Sequence, residues 1–484
     1  MPLKTPEEYL ESIKREINLY MFGEKISRFW EHPYYKIIEP SINTVKKIYE
    51  LAQREEYKHL MTAKSHLTGE TINRFTHIHQ SIDDLLLKVE MQRLIGQKTA
   101  CCFQRCVGFD AANSLYSVTW EMDKKNNSAY HDKFKDYWIE VQKNDFFIAG
   151  SMTDSKGDRS KRPIDQTDPD AYLHIVDEND SGIFVTGAKV HQTGFLNSHQ
   201  AIVMPTLALR KGEEDYAVSF GIDTTAKGIT MIYGRQTSDT RKLEDEVFEV
   251  GNFKYGGQEI FVIFDNVFVP NEKIFMKGEI EFTGALVNRF AGYHRQSYAC
   301  KTGVGDVLIG AAALSAQYNG VEKASHIRDK LVEMIHLNET LWSCAVACSA
   351  KGFKREAGNY EMDMLLANVA KQNVTRFPYE IGRLAEDLAG GIICTMPSHK
   401  DVESSEIGPL IQKYLSTCEE VPVNDRYKLI RFIENLSMGV ASLSYKTESL
   451  HGAGSPQAQR IMISRQAGIE DKIRLVKDIL DISS

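Results

Sequence analysis

The sequence predicts a mainly α-helical protein with a central β domain, and three observations carry that prediction. Apolar residues recur at intervals of three and four up to about residue 105 and again beyond about 283. Between them, short β-branched and aromatic runs are separated by Asp, Asn and Gly turns. Strands and helices never alternate as βαβ units, which excludes a parallel nucleotide-binding sheet. At 484 residues the chain exceeds one ordinary core. The expected units are an N-terminal helical domain over 1–139, a middle β domain over 140–282 and a C-terminal helical domain over 283–484.

The first helical runs are PEEYLESIKREI, INTVKKIYELA and SIDDLLLKVEMQRLIGQKTACCFQRC. The character changes near residue 137. DYWIEVQKNDFFIAGSMTD, YLHIVDENDSGIFVTGAKVHQT, HQAIVMPTLAL, YAVSFGIDTTAKGITMIYG and QEIFVIFDNVFVP read as strands with their turns, ENDSG being a hairpin loop. Helices return in VGDVLIGAAALSAQYNG, KASHIRDKLVEMIHLNETLWSCAVACSA, MDMLLANVAKQNVTRFPYEIGRLAEDLAGG and DRYKLIRFIENLSMGVASLSYKTESL. Several are apolar or small nearly all round, which suits burial between neighbours or subunits.

Hydrophobic residues make up 42% and charged residues 26%, and the net charge of −8 is spread along the chain. Neither nucleic acid nor an anionic membrane surface finds a basic patch to hold. Charges fill MPLKTPEEYLESIKRE where a secretion signal needs an apolar stretch, and no run of about 18 uncharged apolar residues follows. A cytoplasmic protein is expected. The eight cysteines lack the spacing of a secreted disulfide framework, leaving reduced core residues or ligands.

Three of those cysteines crowd into TACCFQRCVGFDA. On a helix Cys102 and Cys106 share a face, one turn apart, and Cys101 points elsewhere. Free cysteine is ordinarily a small buried hydrophobe, which is how Cys344 and Cys348 in SCAVACSA read. Two thiolates cannot complete a four-coordinate site. AGYHRQSYACKTGVGD offers His294 and Cys300 as further donors, a Cys3His set that suits zinc or an iron–sulfur cluster, and spacing does not choose between them. GVGDVLIG misses G-x-G-x-x-G and reads as close helix packing; HLNET is not H-E-x-x-H; His77 and His79 belong to the approach to a helix N-terminus.

Eight stretches carry a resemblance: YMFGEKI (20–26), INRF (72–75), GQKTACCFQRCVG (96–108), MTDSKGDR (152–159), HQTGFLNSH (191–199), GGQEIFVIFDNVF (256–268), YHRQSYACKTGVGDV (293–307) and TESLHGAGSPQAQR (447–460). Through them the chain resembles, nearly end to end, the 4-hydroxybutyryl-CoA dehydratase/vinylacetyl-CoA isomerase family of the 4-hydroxyphenylacetate hydroxylase superfamily. The resemblance implies an acyl-CoA dehydrogenase-like fold with a barrel-like middle domain, bound FAD, an acyl-CoA substrate and a homotetramer built as a dimer of dimers. It implies a [4Fe-4S] cluster on Cys102, Cys106, His294 and Cys300. FAD is expected between the β unit and the C-terminal helices, along Met152, Thr153, Asp154, Lys156, Gly157, Asp158, Arg159, His191, Gln192 and Thr193. Gly390, Gly391, Gly452 and Gly454 are expected near the pyrophosphate or adenosine, from this or a neighbouring subunit. One motif departs from the family pattern, which has two glycines where Ala299 alone separates Tyr298 from Cys300. His294 and Cys300 are then six apart, about 120° off a common helix face. Either the backbone is irregular there, as at a helix end or π-bulge, or the cluster is altered or lost.

The implied reaction converts 4-hydroxybutyryl-CoA to crotonyl-CoA and water, with isomerisation of vinylacetyl-CoA to crotonyl-CoA beside it. Loss of the C4 hydroxyl requires removal of a C3 hydrogen that no carbonyl directly acidifies. A flavin that takes one electron from the C2 enolate and later returns it solves that problem without net redox change, and the cluster acts as a Lewis acid on the hydroxyl. His294, Tyr298, Glu448 and Glu259 are the implied catalytic groups, with Gln104, Thr193 and Lys301 as further candidates for orienting flavin or cluster. Competing expectations are a cluster-free flavoenzyme of the superfamily, isomerase-only or an aromatic hydroxylase, and a flavoprotein redox sensor whose close-set thiols oxidise.

Overall fold

A computed structural model describes residues 3–244 and 249–482. Its strands are β1 (Leu19–Met21), β2 (Glu24–Ile26), β3 (Thr62–Lys64), β4 (Thr71–Asn73), β5 (Ile148–Ser151), β6 (His174–Asn179), β7 (Gly182–Thr193), β8 (Gln200–Val203), β9 (Val218–Asp223), β10 (Ile229–Tyr233), β11 (Glu259–Pro270), β12 (Ile274–Lys277), β13 (Phe353–Lys354) and β14 (Tyr360–Glu361). A six-stranded sheet runs β2-β1-β10-β11-β7-β6 and a four-stranded sheet runs β12-β9-β8-β5. Val185, Met231, Val262 and Phe264 of the first share one core with Ala201, Val203, Val218 and Phe220 of the second, each at most 1% exposed. Apolar residues at every second position let each sheet bury one face against the other. The expected barrel-like closure is absent among the described residues: both sheets are open.

Two segments differ from the sequence expectation. Asp136–Val141, expected to open a strand run, lies in the helix Tyr130–Lys143, where Phe134, Tyr137, Trp138 and Val141 are buried at helical spacing. Aromatic content suggested a strand; the period decides for a helix. In the first hundred residues, expected to be helical, β1 and β2 add to the large sheet, β1 pairing in parallel with β10. Three-residue strands are too short to show a period. The ENDSG turn is where expected, Asn179 Oδ1 accepting from the amides of Ser181 and Gly182 at 2.8 and 3.2 Å.

Helices surround the sheets. Ile82–Thr99 begins at Ser81, whose hydroxyl accepts from the Asp84 amide, with Asp83 and Asp84 in its positive first turn. It ends where Ala100 takes a left-handed conformation, φ 53°. Cys106–Asn126 follows, buried along most of its length. The stretch Ile280–Tyr318 is apolar and long enough to cross a membrane, yet 67% of its most apolar window is buried within the protein. It is broken into Ile280–Ser297 and Cys300–Tyr318.

Ile82–Thr99 crosses Cys300–Tyr318 on a pair of glycines. A Cβ on Gly96 would lie 2.7 Å from the Cys300 carbonyl oxygen, and one on Gly303 would lie 2.1 Å from that of Arg93. GVGDVLIG is thus a packing motif, and it draws the loop after residue 99 against the start of the Cys300 helix. Gly303→Ala should cost about 2 kcal/mol or more through overpacking, read as a lower apparent melting temperature at fixed scan rate; an unchanged value would show that the crossing tolerates separation.

Candidate active site

The three close-set cysteines do not share a helix. Left-handed Ala100 ends one helix, Cys106 begins the next, and Cys101 and Cys102 lie in the loop between them. The expectation that Cys102 and Cys106 stand on one helical face is therefore corrected. Gln104, also left-handed at φ 68°, latches the loop from within. Its amide donates to the carbonyls of Ser41 and Gly256 at 3.0 and 3.1 Å and accepts from Asn197 at 2.8 Å. The Arg105 guanidinium is stacked among the rings of Tyr49, Phe75 and Phe147. Cys101 lies 3.2 Å from the Thr44 hydroxyl, so it is a hydrogen-bonded core thiol.

Across the glycine contact, the chain turns at Tyr298 and Ala299. Amides there bond three residues back: Tyr298 to Arg295, Ala299 to Gln296, Lys301 to Tyr298 and Thr302 to Ala299. This tight winding advances about 20° per residue more than an α-helix and so recovers part of the rotation that the six-residue spacing lacks. The irregular backbone is a helix end.

Asp110, one turn beyond Cys106, fixes His294. Its buried carboxylate accepts from Lys88 Nζ at 2.7 Å, from the Ser297 hydroxyl at 2.8 Å and bonds His294 Nδ1 at 2.9 Å. Burial opposes its charge, but Lys88 and the His294 bond outweigh it and hold the carboxyl below its ordinary value. A carboxylate on Nδ1 sets the tautomer and turns Nε2 outward, as for a metal-ligating histidine. The thiols of Cys102, Cys106 and Cys300 are raised, by burial first and by the charges of Glu448 and of one another among the further causes. Each keeps 7% of its surface accessible, whereas Cys348 keeps none. Among the described residues no three His, Cys, Asp or Glu side chains gather at single-ion distance. A lone zinc ion needs donors about 2.0–2.3 Å from one point; a cluster takes each donor on a different iron.

Two carboxyls lie beside the thiols. Glu259, paired in register with Thr193, accepts from its hydroxyl at 2.6 Å. Its other oxygen is buried without a donor. Burial, then the charge of Glu448, push its carboxyl well above the ordinary value. Glu448 is also buried against its charge, yet Lys301, 3.2 Å away, holds it below its ordinary value. Glu259 therefore carries the proton of the pair. Tyr298 donates to the Glu448 carbonyl at 2.9 Å, and a Cβ on Gly452 would lie 1.8 Å from that hydroxyl, so glycine is required there.

The segment 152–159 is pinned from behind. Asp154, 3% exposed, is occupied by Lys189 at 2.7 Å, the Leu173 amide at 3.0 Å and the Thr206 hydroxyl. Asp154 thus holds the loop in place. Met152 and Thr153 belong to the same tie through their carbonyls, to Lys189 and the Val190 amide. Gly157 and Asp158 are exposed, and Lys156 and Arg159 stand side by side without an ion pair among the described residues. Burial first, then Lys156 and His451, lower His191, so β7 and the 448–454 segment meet at this loop. Gln192 is buried and bonds its own strand at 2.7 Å. Gly454 packs near Arg295, while Gly390 and Gly391 are exposed at the end of the helix Phe377–Ala389, with nothing within 4 Å of an added Cβ. The single chain does not bring these last two to the other residues.

Asp110, Lys88 and Ser297 were not singled out from sequence. A signal existed: one acid, four residues after Cys106, in the first three turns of a helix whose other charged residues, Glu121 to Lys125, come only near its end.

The 4-hydroxyphenylacetate 3-hydroxylase N-terminal family model matches residues 5–276 and the C-terminal model residues 283–481. The chain is 54% identical over 491 residues to 4-hydroxybutyryl-CoA dehydratase/vinylacetyl-CoA-Δ-isomerase of Clostridium aminobutyricum, covering 99% of this chain and 100% of that one. It superposes with a TM-score of 0.97 on an oxygen-tolerant archaeal 4-hydroxybutyryl-CoA dehydratase from N. maritimus, at 50% identity over 100% of this chain and 96% of that one. The oxygenase component of a 4-hydroxyphenylacetate 3-monooxygenase, complexed with FAD, shares the fold at a TM-score of 0.83 and 21% identity, over 99% of both chains. The chain belongs to the 4-hydroxyphenylacetate 3-hydroxylase family and, within it, to the branch of the 4-hydroxybutyryl-CoA dehydratase/vinylacetyl-CoA isomerases.

Proposed function

We propose that this enzyme is a hydro-lyase that converts 4-hydroxybutyryl-CoA to crotonyl-CoA and water and isomerises vinylacetyl-CoA to crotonyl-CoA. One observation carries this: three buried thiols and a carboxylate-oriented imidazole converge beside a carboxyl pair that shares one proton. The donor set fits a cluster, and the two unpaired cations on the pinned 152–159 loop fit a phosphate-bearing cofactor. When bound, FAD would supply one-electron exchange with the substrate enolate, and a [4Fe-4S] cluster on Cys102, Cys106, Cys300 and His294 would supply a Lewis acid at the leaving hydroxyl.

The protein's own groups hold and move the protons. Glu448, kept ionised by Lys301, accepts one; Glu259, protonated beside it, returns one; Tyr298 acts with Glu448 near C2. Thr193 fixes Glu259 through its hydroxyl. Tyr298 is buried and Glu259 and Glu448 are half-buried, which restricts solvent access to the C2 carbanion. We also propose an oligomer: Val332 and Ile335 on one helix and Ile469, Ile473 and Val476 on another are exposed apolar residues suited to subunit contact.

Anaerobic purification followed by absorbance, iron and sulfide analysis tests the proposal. A brown protein with flavin and about four irons per chain is expected; a yellow protein without iron overturns the dehydratase assignment in favour of a cluster-free flavoenzyme. Cys106→Ala should lower the iron content and abolish dehydration while circular dichroism stays unchanged; retained dehydration would show that the ligand assignment is wrong. The third prediction concerns pH. Because Glu259 is raised in the folded protein, the native state binds more protons than the unfolded chain once pH exceeds the unfolded value of about 4.3, and stability falls as pH rises. Glu259→Gln removes that penalty. The variant should therefore gain more in apparent melting temperature at about pH 8 than at about pH 5; an equal gain at both would place the proton elsewhere.

A further inference from the structure

Residues 443–451 do not form a regular helix. Leu443–Thr447 is a π-turn leading into the short helix Glu448–His451. The wider winding leaves backbone carbonyls for side chains to capture. Lys301 donates to the carbonyl of Ser444, Tyr298 to that of Glu448 and Lys371 to that of Ser449. Arg295 continues the series at Ala453, 3.1 Å away.

Lys371 is the unexpected member. It comes from the helix Met364–Val374, which contributes none of the groups considered above. It is 0% exposed, and among the described residues no carboxylate pairs with it. A buried ammonium without an ion pair is costly, and a methionine of similar length would pack at lower cost. Its surroundings offer two attractions. Its Nζ lies 3.8 Å from the centroid of the Tyr298 ring, closer than the 5.4 Å of Lys301, and it donates to the Ser449 carbonyl. One turn earlier on the same helix, Asn368 accepts from Arg295 at 2.6 Å. The Met364–Val374 helix thus clamps both the Tyr298 turn and the segment carrying Glu448.

We propose that Lys371 is a positioning residue that sets Tyr298 and Glu448 in mutual register. Its Nζ, packed on the ring face, fixes the Tyr298 plane, while its hydrogen bond to Ser449 fixes the backbone next to Glu448. The inference rests on the assignment of Tyr298 and Glu448 as proton-transfer groups.

The test is a double-mutant cycle on the anaerobically purified holoenzyme: Lys371→Met, Tyr298→Phe, Glu448→Gln and the paired combinations, with flavin and iron content measured for each. Lys371→Met should keep both cofactors and lose about tenfold or more in kcat, with KM nearly unchanged. Dehydration and isomerisation should fall by the same factor, since both need the proton movements and only one needs the hydroxyl to leave. In the Tyr298→Phe background the further loss should shrink to about twofold, and Lys371→Arg should restore part of the activity. Full additivity, or loss of dehydration alone, overturns the inference. If Lys371→Met does not keep its cofactors, Lys371→Gln serves in its place, and failure of both to load while Lys371→Arg loads with unchanged kcat also overturns it, leaving a structural role. Full activity in Tyr298→Phe and Glu448→Gln would instead refute the underlying functional assignment.

Discussion

A buried carboxylate in the middle of a helical core is the constraint on which the site depends. Asp110 is 1% exposed and must have every lone pair engaged. It is served by Lys88 from one helix and by His294 and Ser297 from another, while itself standing on the helix that Cys106 begins. Three helices are locked by one charge. Removing Lys88 would leave the carboxylate without its ion pair in low dielectric, which typically costs about 3–5 kcal/mol. The consequence for chemistry is direct: the histidine ring and one thiol take their places from the same residue, so the donor arrangement is a property of the core.

Around this node the chain is irregular in three places, and each irregularity presents something a regular helix would hide. The left-handed residues Ala100 and Gln104 turn Cys102 toward the start of the Cys300 helix. The tight turn at Tyr298–Ala299 separates the helix that carries His294 from the one that Cys300 begins. The π-turn at 443–447 frees carbonyls for Lys301, Tyr298 and Lys371. Two glycines, 96 and 303, let the first two irregularities come close enough to matter. Such features weaken helices locally, and they persist because buried side chains over-determine them.

Helix–sheet–helix order was legible in the sequence because it rests on period and composition over long windows. What failed was short or depended on partners. Tyr137–Val141 is aromatic enough to suggest a strand, yet its helical burial pattern shows only beside Phe275 and the sheet it covers. The donor types at 102, 106, 294 and 300 were visible as chemistry, whereas the helix end at Ala100, ahead of Cys102, was not, since nothing in TACCFQRC announces a left-handed alanine. Asp110 and Lys371 escaped for a related reason. A charged residue in the buried stretch of a helix becomes meaningful only when its partner, 184 positions away for Asp110 and His294, is known.

The charges of the site divide into two groups, and that division bears on what the site can hold. Near the thiols stand Lys301 and Lys371, the latter pushed well below its ordinary pKa by burial, with two ionised carboxylates, Glu448 and the Lys88-paired Asp110, because Glu259 keeps its proton. Along the 152–159 loop stand Lys156 and Arg159, while the one acid turned inward, Asp154, is spent on Lys189. A half-buried cation such as Lys156 is stabilised when an anion meets it, whereas exposed Arg159 can remain hydrated. On the first side the anions can come from the protein itself, since cysteines that ligate do so as thiolates. On the second side no carboxylate among the described residues pairs with either cation, and the chemistry that matches is a phosphate. The two groups border one another, since Lys156 of the loop and Glu448 of the carboxyl pair both act on His191.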